Sequence, residues 1–253
     1  MNTRISSLEQ ENQKLKHLLS QTKKDMQTSL SAISHELRNS LTLIIGSMQL
    51  IEQDHPEIAS VRDWSSIRSD LDHMQLFLQD LSSYKSLQFT RLNCCLCDLT
   101  AFLQDICHNC SSWFDGTHRQ LVFSAPEIPF TSYTDAPKLY QAITNLIKNG
   151  LEALDSEGTV SLRLRNVTPE EAAYTGTEAS AIEIKDTGIG LTSKQQEEIS
   201  RPFYTSKPSG TGLGLPIALD IIKAHGGTIL VRSAPHKGSV FTVLLPRFPG
   251  PAE

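Results

Sequence analysis

Two long amphipathic stripes dominate the first third of the chain. Apolar residues follow one another at steps of three and four over residues 30–51, and again over residues 64–84. This spacing predicts two amphipathic helices, each with one apolar face. Pro56, in the DHPE segment between them, predicts the break. The pattern therefore predicts an antiparallel helical hairpin over residues 29–92.

A second repeat precedes the hairpin and predicts a coiled-coil lead-in over residues 1–28. Its seam positions are Ile5, Leu8, Asn12, Leu15, Leu19, Thr22 and Met26. A single hairpin leaves one apolar face uncovered, and two hairpins cover it by forming a four-helix bundle. We therefore expect a homodimer that forms through the hairpin and the coiled coil.

The pattern changes after about residue 90, where Gly and Pro become frequent and short β-rich runs alternate with helical ones. Strands are predicted near residues 121–123, 159–164, 181–185, 228–231 and 239–245, and helices near residues 98–112, 136–154, 192–200 and 212–226. This alternation predicts an α+β domain over residues 93–248, with helices packed on a mixed sheet, followed by a tail over 249–253. The polar stretch 166–180 is predicted to be a mobile hairpin loop.

Composition narrows the class of protein. The 253 residues are 39% hydrophobic and 20% charged, which is ordinary for a soluble globular protein. Basic residues number 23 and acidic residues 28, and the net charge of −5 argues against a nucleic-acid-binding protein. We expect no membrane segment, because no run of about 18 apolar residues occurs. We expect no signal peptide, because the N-terminus lacks the short apolar core and the small-residue cleavage site. The expected location is cytoplasmic, for a soluble protein or for the cytoplasmic part of a longer sensor.

Five cysteines lie within residues 94–110, as two Cys-x-x-Cys pairs. Pairs with this spacing can bind zinc. The helical spacing of the apolar residues around the second pair favours core packing instead. A metal site and a redox site remain alternatives.

Three short motifs in the second domain suggest nucleotide chemistry. Glycines at alternate positions in Gly210-Thr-Gly-Leu-Gly-Leu let backbone approach a ligand, and the helix that follows favours anions at its start. In Asp186-Thr-Gly-Ile-Gly, a carboxylate at a strand end can accept a hydrogen bond from an exocyclic amine. Asn145 and Asn149 are four residues apart on a predicted helix, so both amides share one face, and their oxygens could bind Mg²⁺.

These motifs carry a resemblance to a known family. In chain order, NLIKNGLEAL, DTGIG, PFYTSK and GTGLGL resemble the N, G1, F and G2 boxes of the histidine kinase ATP-binding domain, and SHELRNSLT at residues 34–42 resembles the phospho-acceptor H box. The chain is similar to sensor histidine kinases, most of all to the nitrogen-regulation and sporulation types. The resemblance implies a multidomain protein: an all-α dimeric hairpin followed by an α+β sandwich ATP-binding domain of the gyrase, Hsp90 and histidine kinase type.

The resemblance assigns an ATP site in the second domain. Asn149 would bind Mg²⁺, Asn145 would lie beside the metal or phosphate, and Asp186 would recognise adenine. The other implied ATP-binding residues are Lys148, Gly188, Gly190, Phe203, Tyr204, Lys207, Gly210, Thr211, Gly212, Leu213, Gly214 and Thr242.

The resemblance also assigns the phospho-acceptor site. On a helical wheel, His35 lies about 200° from Ile33, so it should face solvent. His35 would be the nucleophile that attacks the γ-phosphate of ATP, and Glu36 would take or orient the proton on the other ring nitrogen. Asn39 occupies the position that phosphatase-active members use to orient water. Ser40 departs from the family, which usually has Pro at this position.

The resemblance therefore implies an ATP-dependent protein-histidine kinase in a two-component system. It would phosphorylate itself on His35, transfer the phosphoryl group to an aspartate of a response regulator, and also act as a regulator phosphatase. Two alternatives remain: a phosphatase or phosphotransfer hub with weak kinase activity, and a non-enzymatic dimeric scaffold.

Overall fold

The computed structural model describes residues 14, 21, 33–87, 92–128, 130–175, 179–205, 207 and 210–247. The predicted coiled coil, except for two single residues, and the predicted tail lie outside this part of the chain. Contacts divide the chain into two compact units, Met1–Ser86 and Leu87–Glu253. Among the described residues, no helix has both the length and the apolar character needed to cross a membrane.

The first unit contains the predicted helical hairpin. Helix α1 includes residues 33–54. A short 3₁₀ helix at Pro56–Ser60 separates it from helix α2, Arg62–Leu87. The turn falls at Pro56 because proline cannot donate the backbone hydrogen bond that a continuing helix requires. The buried contacts between the two helices are made by Leu41, Met48, Leu71 and Leu78, with Ile45 and Trp64 packed against them.

Polar contacts near the turn join the two helices of the hairpin. Trp64 Nε1 donates to Glu52 Oε1 over 2.8 Å, and Arg68 Nη1 lies 2.6 Å from Glu52 Oε2. The hydrogen bond from Trp64 is the largest cause of a lowered pKa of Glu52, and the hydrogen bond from Arg68 lowers it further. The same carboxylate therefore binds two residues of the second helix and aligns it with the first.

The second unit is an α+β domain. Its strands are β1 Cys95–Asp98, β2 His118–Ser124, β3 Thr131–Thr134, β4 Glu157–Asn166, β5 Ala179–Asp186, β6 Thr228–Ser233 and β7 Ser239–Pro246. Its α-helices are α3 Leu99–Ser111, α4 Ala136–Ala153, α5 Pro169–Thr175, α6 Ser193–Glu198 and α7 Gly214–Ala224. The main sheet has the order β2-β4-β5-β7-β6, and β1 pairs with β3 in a second, two-stranded sheet.

The main sheet is mixed and has two different faces. β2 and β4 are parallel, whereas the pairs β4–β5, β5–β7 and β6–β7 are antiparallel. Alternate residues of the central strands, such as Leu162 and Ile184, are buried beneath α3, α4 and α7. The residues between them, including exposed Arg163 and Lys185, lie on the opposite face, here called the outer face.

The polar stretch 166–180 is ordered over most of its length, so the prediction of a mobile loop is wrong there. Residues 169–175 form α5, and only residues 176–178 lie outside the described part. Thr168 and Glu171 exchange hydrogen bonds between side chain and backbone N–H, which is the pattern of a capping box. Arg165 binds both oxygens of Glu171 at 2.7 Å and also contacts Glu183. Arg165 therefore attaches α5 to the outer face.

The cysteines differ in burial, so the prediction of core packing is correct only for Cys110, which is fully buried. Cys95 is exposed, and the other three are intermediate. Burial raises the pKa of the Cys110 thiol to about 11, which keeps it protonated at neutral pH. The described residues contain no group of three or more His, Cys, Asp or Glu side chains that could bind a metal. Within that part of the chain, the zinc alternative has no support.

Candidate functional site

Helices α4 and α7 bring together the two predicted phosphate motifs. Asn145 Nδ2 on α4 donates to the carbonyl oxygen of Gly214, the first residue of α7, over 3.1 Å. A Cβ added to Gly214 would lie 3.8 Å from Asn149 Oδ1 and no closer to any other atom. The two asparagine amides and the start of α7 therefore line one open space.

Asp186 lies at the end of β5 and is 2% exposed. Its Oδ1 accepts the N–H of Gly188 over 2.8 Å. Ser239 donates to the same carboxylate from both its backbone N–H and its hydroxyl. Burial raises the pKa of Asp186, and these hydrogen bonds together with the charge of Lys207 oppose the rise. A buried carboxylate with fixed donors is suited to accept one further hydrogen bond from a ligand.

Thr242, predicted to bind ATP, does not lie with Asp186 on the same face of the sheet. The strand register pairs Thr242 with Glu183, three residues before Asp186. Because side chains alternate along a strand, Thr242 and Glu183 share the outer face, whereas Asp186 faces the helices. Ser239 is the β7 residue that contacts Asp186, and sequence reasoning missed it. Ser239 and Thr242 are three residues apart on one strand, and this odd spacing, which puts their side chains on opposite faces, was the signal available in the sequence.

The glycines of the DTGIG motif are required by the protein's own backbone. A Cβ on Gly188 would lie 2.2 Å from the carbonyl oxygen of Ala153, the last residue of α4. The same oxygen accepts the N–H of Ile189 over 3.0 Å. Gly190 has a φ of +65°, and a Cβ there would lie 2.0 Å from the carbonyl oxygen of Ala234. These glycines let the chain after Asp186 pass close to α4 and to the β6–β7 turn.

The segment between α6 and α7, residues 199–213, is called the lid here. Phe203 and Gly212 both have left-handed backbone, with φ of +67° and +66°, and the Phe203 N–H donates to the Gly212 carbonyl over 3.0 Å. Lys207 Nζ lies 2.7 Å from Glu152 Oε2 on α4. The Gly210 N–H donates to the carbonyl of Lys207 over 3.2 Å. The described lid residues therefore form a folded turn that is attached to α4 by an ion pair.

The remaining residues of the predicted ATP site have distinct surroundings. The Tyr204 hydroxyl hydrogen-bonds Glu198. Thr211 Oγ1 accepts the N–H of Leu213 over 3.3 Å. Leu213 is fully buried in the nucleotide-free domain. Lys148 is exposed, one residue before Asn149.

The predicted phospho-acceptor residues lie on α1. His35, Glu36 and Asn39 are all exposed, as the helical wheel predicts for His35. Arg38 Nη2 donates to Ser82 Oγ over 2.5 Å, which joins α1 to α2 next to the histidine. The helix continues without interruption through Ser40.

Comparison with known proteins identifies the second domain. Residues 134–249 match the family described as Histidine kinase-, DNA gyrase B-, and HSP90-like ATPase. These residues include all the motifs of the candidate site on α4, β5, the lid, α7 and β7. The family match therefore coincides with the site that the geometry defines.

Curated relatives extend the similarity into the helical hairpin. The chain is 32% identical to Sporulation kinase C of Bacillus subtilis over 222 residues, which is 85% of the chain and 48% of that protein. It is 30% identical to Sensor histidine kinase ZraS of Salmonella typhimurium, covering 85% of the chain and 44% of that protein. The chain spans just under half the length of these relatives.

Solved structures share the fold. A structure titled ShkA full-length in complex with AMPPNP aligns with a TM-score of 0.69 and 21% identity, over 88% of the chain and 46% of that protein. The histidine kinase AdeS of Acinetobacter baumannii aligns with a TM-score of 0.56 and 23% identity, over 84% of this chain and 98% of the chain in that structure. The solved structures show the shared fold, and the family match and the curated relatives show that the chain belongs to the sensor histidine kinases.

Proposed function

We propose that the chain is an ATP-dependent protein-histidine kinase that phosphorylates His35 and passes the phosphoryl group to an aspartate of a response regulator. The observation that carries the proposal is the meeting of Asn145 and Asn149 with the start of α7 at Gly214. Asp186 supplies a buried carboxylate in the same domain. This arrangement suits a nucleotide, with phosphates at the asparagines and α7 and with the base near the carboxylate.

The residues present fit a magnesium ion. The amide oxygen of Asn149 faces the open space in front of Gly214, where a side chain could fit without a close contact. A neutral oxygen ligand of this kind suits Mg²⁺, which takes its other ligands from water and phosphate. When bound, the ion would neutralise phosphate charge. Asn149 would hold it, and Asn145, tied to Gly214, would orient the same group of ligands.

The chemical step would be a phosphoryl transfer to a ring nitrogen. His35 is exposed on α1, so its imidazole is accessible to a nucleotide. A lone pair on one ring nitrogen would form a bond to the γ-phosphorus, and the bond from that phosphorus to the β–γ bridging oxygen would break, releasing ADP. Glu36 would accept or orient the proton on the other nitrogen. In a second transfer, an aspartate oxygen of the regulator would displace His35 from phosphorus.

The homodimer is part of the proposal, and the exposed apolar residues of the hairpin support it. Ile33, Leu37, Ile44 and Ile51 are 40–52% exposed and form one stripe along α1. On α2, Ile67 and Met74 are 47% and 50% exposed. An apolar stripe of this size along a hairpin is the surface that four-helix bundles bury.

Labelled nucleotide tests the kinase proposal directly. Mg·ATP labelled at the γ-phosphate should give an acid-labile label on the protein. The His35→Gln variant should give no label, whereas His73→Gln, a matched change at an exposed histidine of α2, should label normally. Absence of label on a wild-type chain that binds ATP would contradict the proposal. Label restored by mixing His35→Gln with Asn149→Asp would show transfer between subunits.

Asn39 supports dephosphorylation of the regulator as a second candidate function. It is exposed on α1 four residues after His35, on the same side of the helix. From this position its amide could orient a water against a phospho-aspartate of the regulator. Loss of regulator dephosphorylation in Asn39→Ala, with His35 labelling intact, is the result expected for a chain with both activities. Regulator dephosphorylation without any histidine label would favour the phosphatase hub.

A further inference from the structure

A buried histidine follows the last turn of α7. His225 is 1% exposed, and none of the nucleotide motifs includes it. Its Nδ1 lies 2.8 Å from the carbonyl oxygen of Ile221, and its Nε2 lies 3.0 Å from the backbone nitrogen of Asp135. The carbonyl can only accept and the backbone N–H can only donate. The ring is therefore neutral, with its proton on Nδ1 and its acceptor lone pair on Nε2.

The partner of His225 is the residue that starts α4. Asp135 is the N-cap of this helix, and its carboxylate accepts the N–H of Lys138 over 3.1 Å. The other carboxylate oxygen accepts the N–H of Asn93, near the beginning of the domain, over 2.9 Å. The link from His225 to Asp135, called the His225 bridge here, therefore joins the end of α7 to the start of α4.

The helices are tied at both ends of α7. The His225 bridge lies at its C-terminal end, and the hydrogen bond from Asn145 to Gly214 lies at its N-terminal end. Between these ties the two helices are in contact, and each carries fully buried apolar residues, such as Ile143 on α4 and Ile217 on α7. Apolar packing has little directional preference, whereas a hydrogen bond fixes the distance and angle between two groups. The two ties therefore set the position of α7 along α4.

We propose that His225 is a positioning residue for nucleotide binding: its neutral ring holds α7 at the position along α4 where Gly214 faces Asn145 and Asn149. The inference rests on the proposed function, because it names what organises that ATP site. His225 would touch neither the nucleotide nor the metal. It acts through the backbone of α7.

The bridge should depend on pH in a defined direction. A proton on Nε2 would replace the acceptor with a donor pointing at the Asp135 N–H, and the bridge would break. The charged group that acts on the ring is the Asp135 carboxylate on the α4 side. On α7 itself the nearest titratable residues along the chain are Asp220 and Lys223, and the charge of Lys223 acts on Asp220. Strand β6 adds no titratable side chain before Arg232. Burial, which is the largest cause, lowers the pKa of His225, so the bridge is intact at neutral pH and is lost on acidification.

Two substitutions separate the bridge from the local bond to Ile221. In His225→Gln, the side-chain oxygen can reach the position of Nε2 and accept from Asp135, but it does not titrate. In His225→Asn, the shorter amide can donate to Ile221 but cannot reach Asp135. Affinity for Mg·ATP is measured on the full chain by competition with a fluorescent nucleotide. At pH 7.5 we expect the Gln variant to bind within about threefold of wild type, and the Asn variant to bind about tenfold more weakly.

The pH dependence of nucleotide affinity distinguishes a positioning role from a purely structural one, because a purely structural role would not change it. Affinities of wild type and His225→Gln are compared from pH 7.5 to 5, so that titration of the phosphates and of Asp186 cancels in the ratio. We expect the affinity of wild type to fall relative to that of His225→Gln as pH falls, by up to about tenfold. A constant ratio, or equal binding by the Asn and Gln variants, would overturn the proposal. If the Asn variant does not fold, the pH comparison still decides.

Failure of the proposed function would be recognised separately. A wild-type chain that binds no nucleotide would contradict ATP binding itself, and the bridge is then tested by amide hydrogen exchange at Ile217, whose N–H donates to the Leu213 carbonyl at the start of α7. His225→Asn should exchange there about tenfold faster than His225→Gln. Equal exchange in the two variants would overturn the positioning role.

Discussion

Lys207 in the lid forms an ion pair with Glu152 on α4, with 2.7 Å between Nζ and Oε2. Both side chains are about one-third exposed, so solvent weakens the attraction. The pair nevertheless fixes where the lysine lies when the site holds no phosphate. Any phosphate that attracts Lys207 must compete with Glu152.

This competition predicts that Glu152→Gln binds nucleotide more tightly than wild type. An exposed pair of this kind contributes up to about 1 kcal/mol, so the dissociation constant for ATP should fall by up to about fivefold. Fluorescence titration at low and high salt would measure the change, which should shrink as salt screens the pair. Glu157→Gln, at an exposed residue at the start of β4, is the control and should leave affinity unchanged. Weaker binding by Glu152→Gln would contradict the competition.

Asp186→Asn should weaken nucleotide binding and stabilise the nucleotide-free domain. Loss of a charged acceptor should reduce affinity by about tenfold to a hundredfold. Burial raises the pKa of Asp186 above its unfolded value, so the ionised carboxylate costs stability that increases as pH rises through the folded pKa. The asparagine avoids this cost. Thermal unfolding at pH 7 without nucleotide should therefore show a higher Tm for the variant, and Asp155→Asn, at an exposed position, should show no change.

Glu171→Gln should detach α5 from the outer face. The bidentate contact from Arg165, the largest cause, lowers the pKa of Glu171 to about 2. Because this pKa lies below the unfolded value, the contribution to stability is complete above about pH 4.5 and is lost as pH falls toward 2. At pH 7 we expect the variant to lose about 3 kcal/mol in urea unfolding. Glu170→Gln, at the exposed neighbouring residue, should lose almost nothing.

Gly212→Ala should destabilise the lid, whereas Gly214→Ala should not. At Gly212, φ is +66° and an added Cβ would lie 2.5 Å from the carbonyl carbon of Phe203, so we expect a loss of about 1–3 kcal/mol. At Gly214, the nearest atom would be 3.8 Å away, and Ala should be neutral or gain up to about 1 kcal/mol. Unfolding of the nucleotide-free chain gives both values. Equal destabilisation by the two substitutions would be inconsistent with the Phe203–Gly212 contact.

Most of the secondary structure could be predicted from patterns within single segments. The apolar stripes and Pro56 give the hairpin, and the motifs around Asn149, Asp186 and Gly214 identify the residues that the fold brings together. The features that were not predicted depend on residues outside the segment in which they lie. Helix α5 lies in a polar stretch whose stability depends on Arg165, although Thr168-x-x-Glu171 was a capping signal within the sequence.

The face on which Thr242 lies depends on a different kind of information. A hydroxyl on the last strand fits the site equally well at position 239 or 242 when only residue type is considered. The choice depends on strand register, because an odd shift places a side chain on the other face of the sheet. The register is set by the pairing of residues between β5 and β7, and the sequence of one strand alone does not specify that pairing. The His225 bridge was missed for the same reason, since its partner lies 90 residues away along the chain.

The two compact units obtain their stability from different sources, which affects how the protein responds to dilution. The sheet domain has its own buried core, whereas the hairpin leaves a long apolar stripe uncovered within one chain. In the proposed homodimer, folding of the hairpin is linked to association and follows mass action. Lowering the protein concentration should therefore lower the melting temperature of the helices and leave that of the ATP-binding domain unchanged. If the two units unfold in a single transition at high protein concentration, dilution should separate it into two, one for the helices and one for the ATP-binding domain.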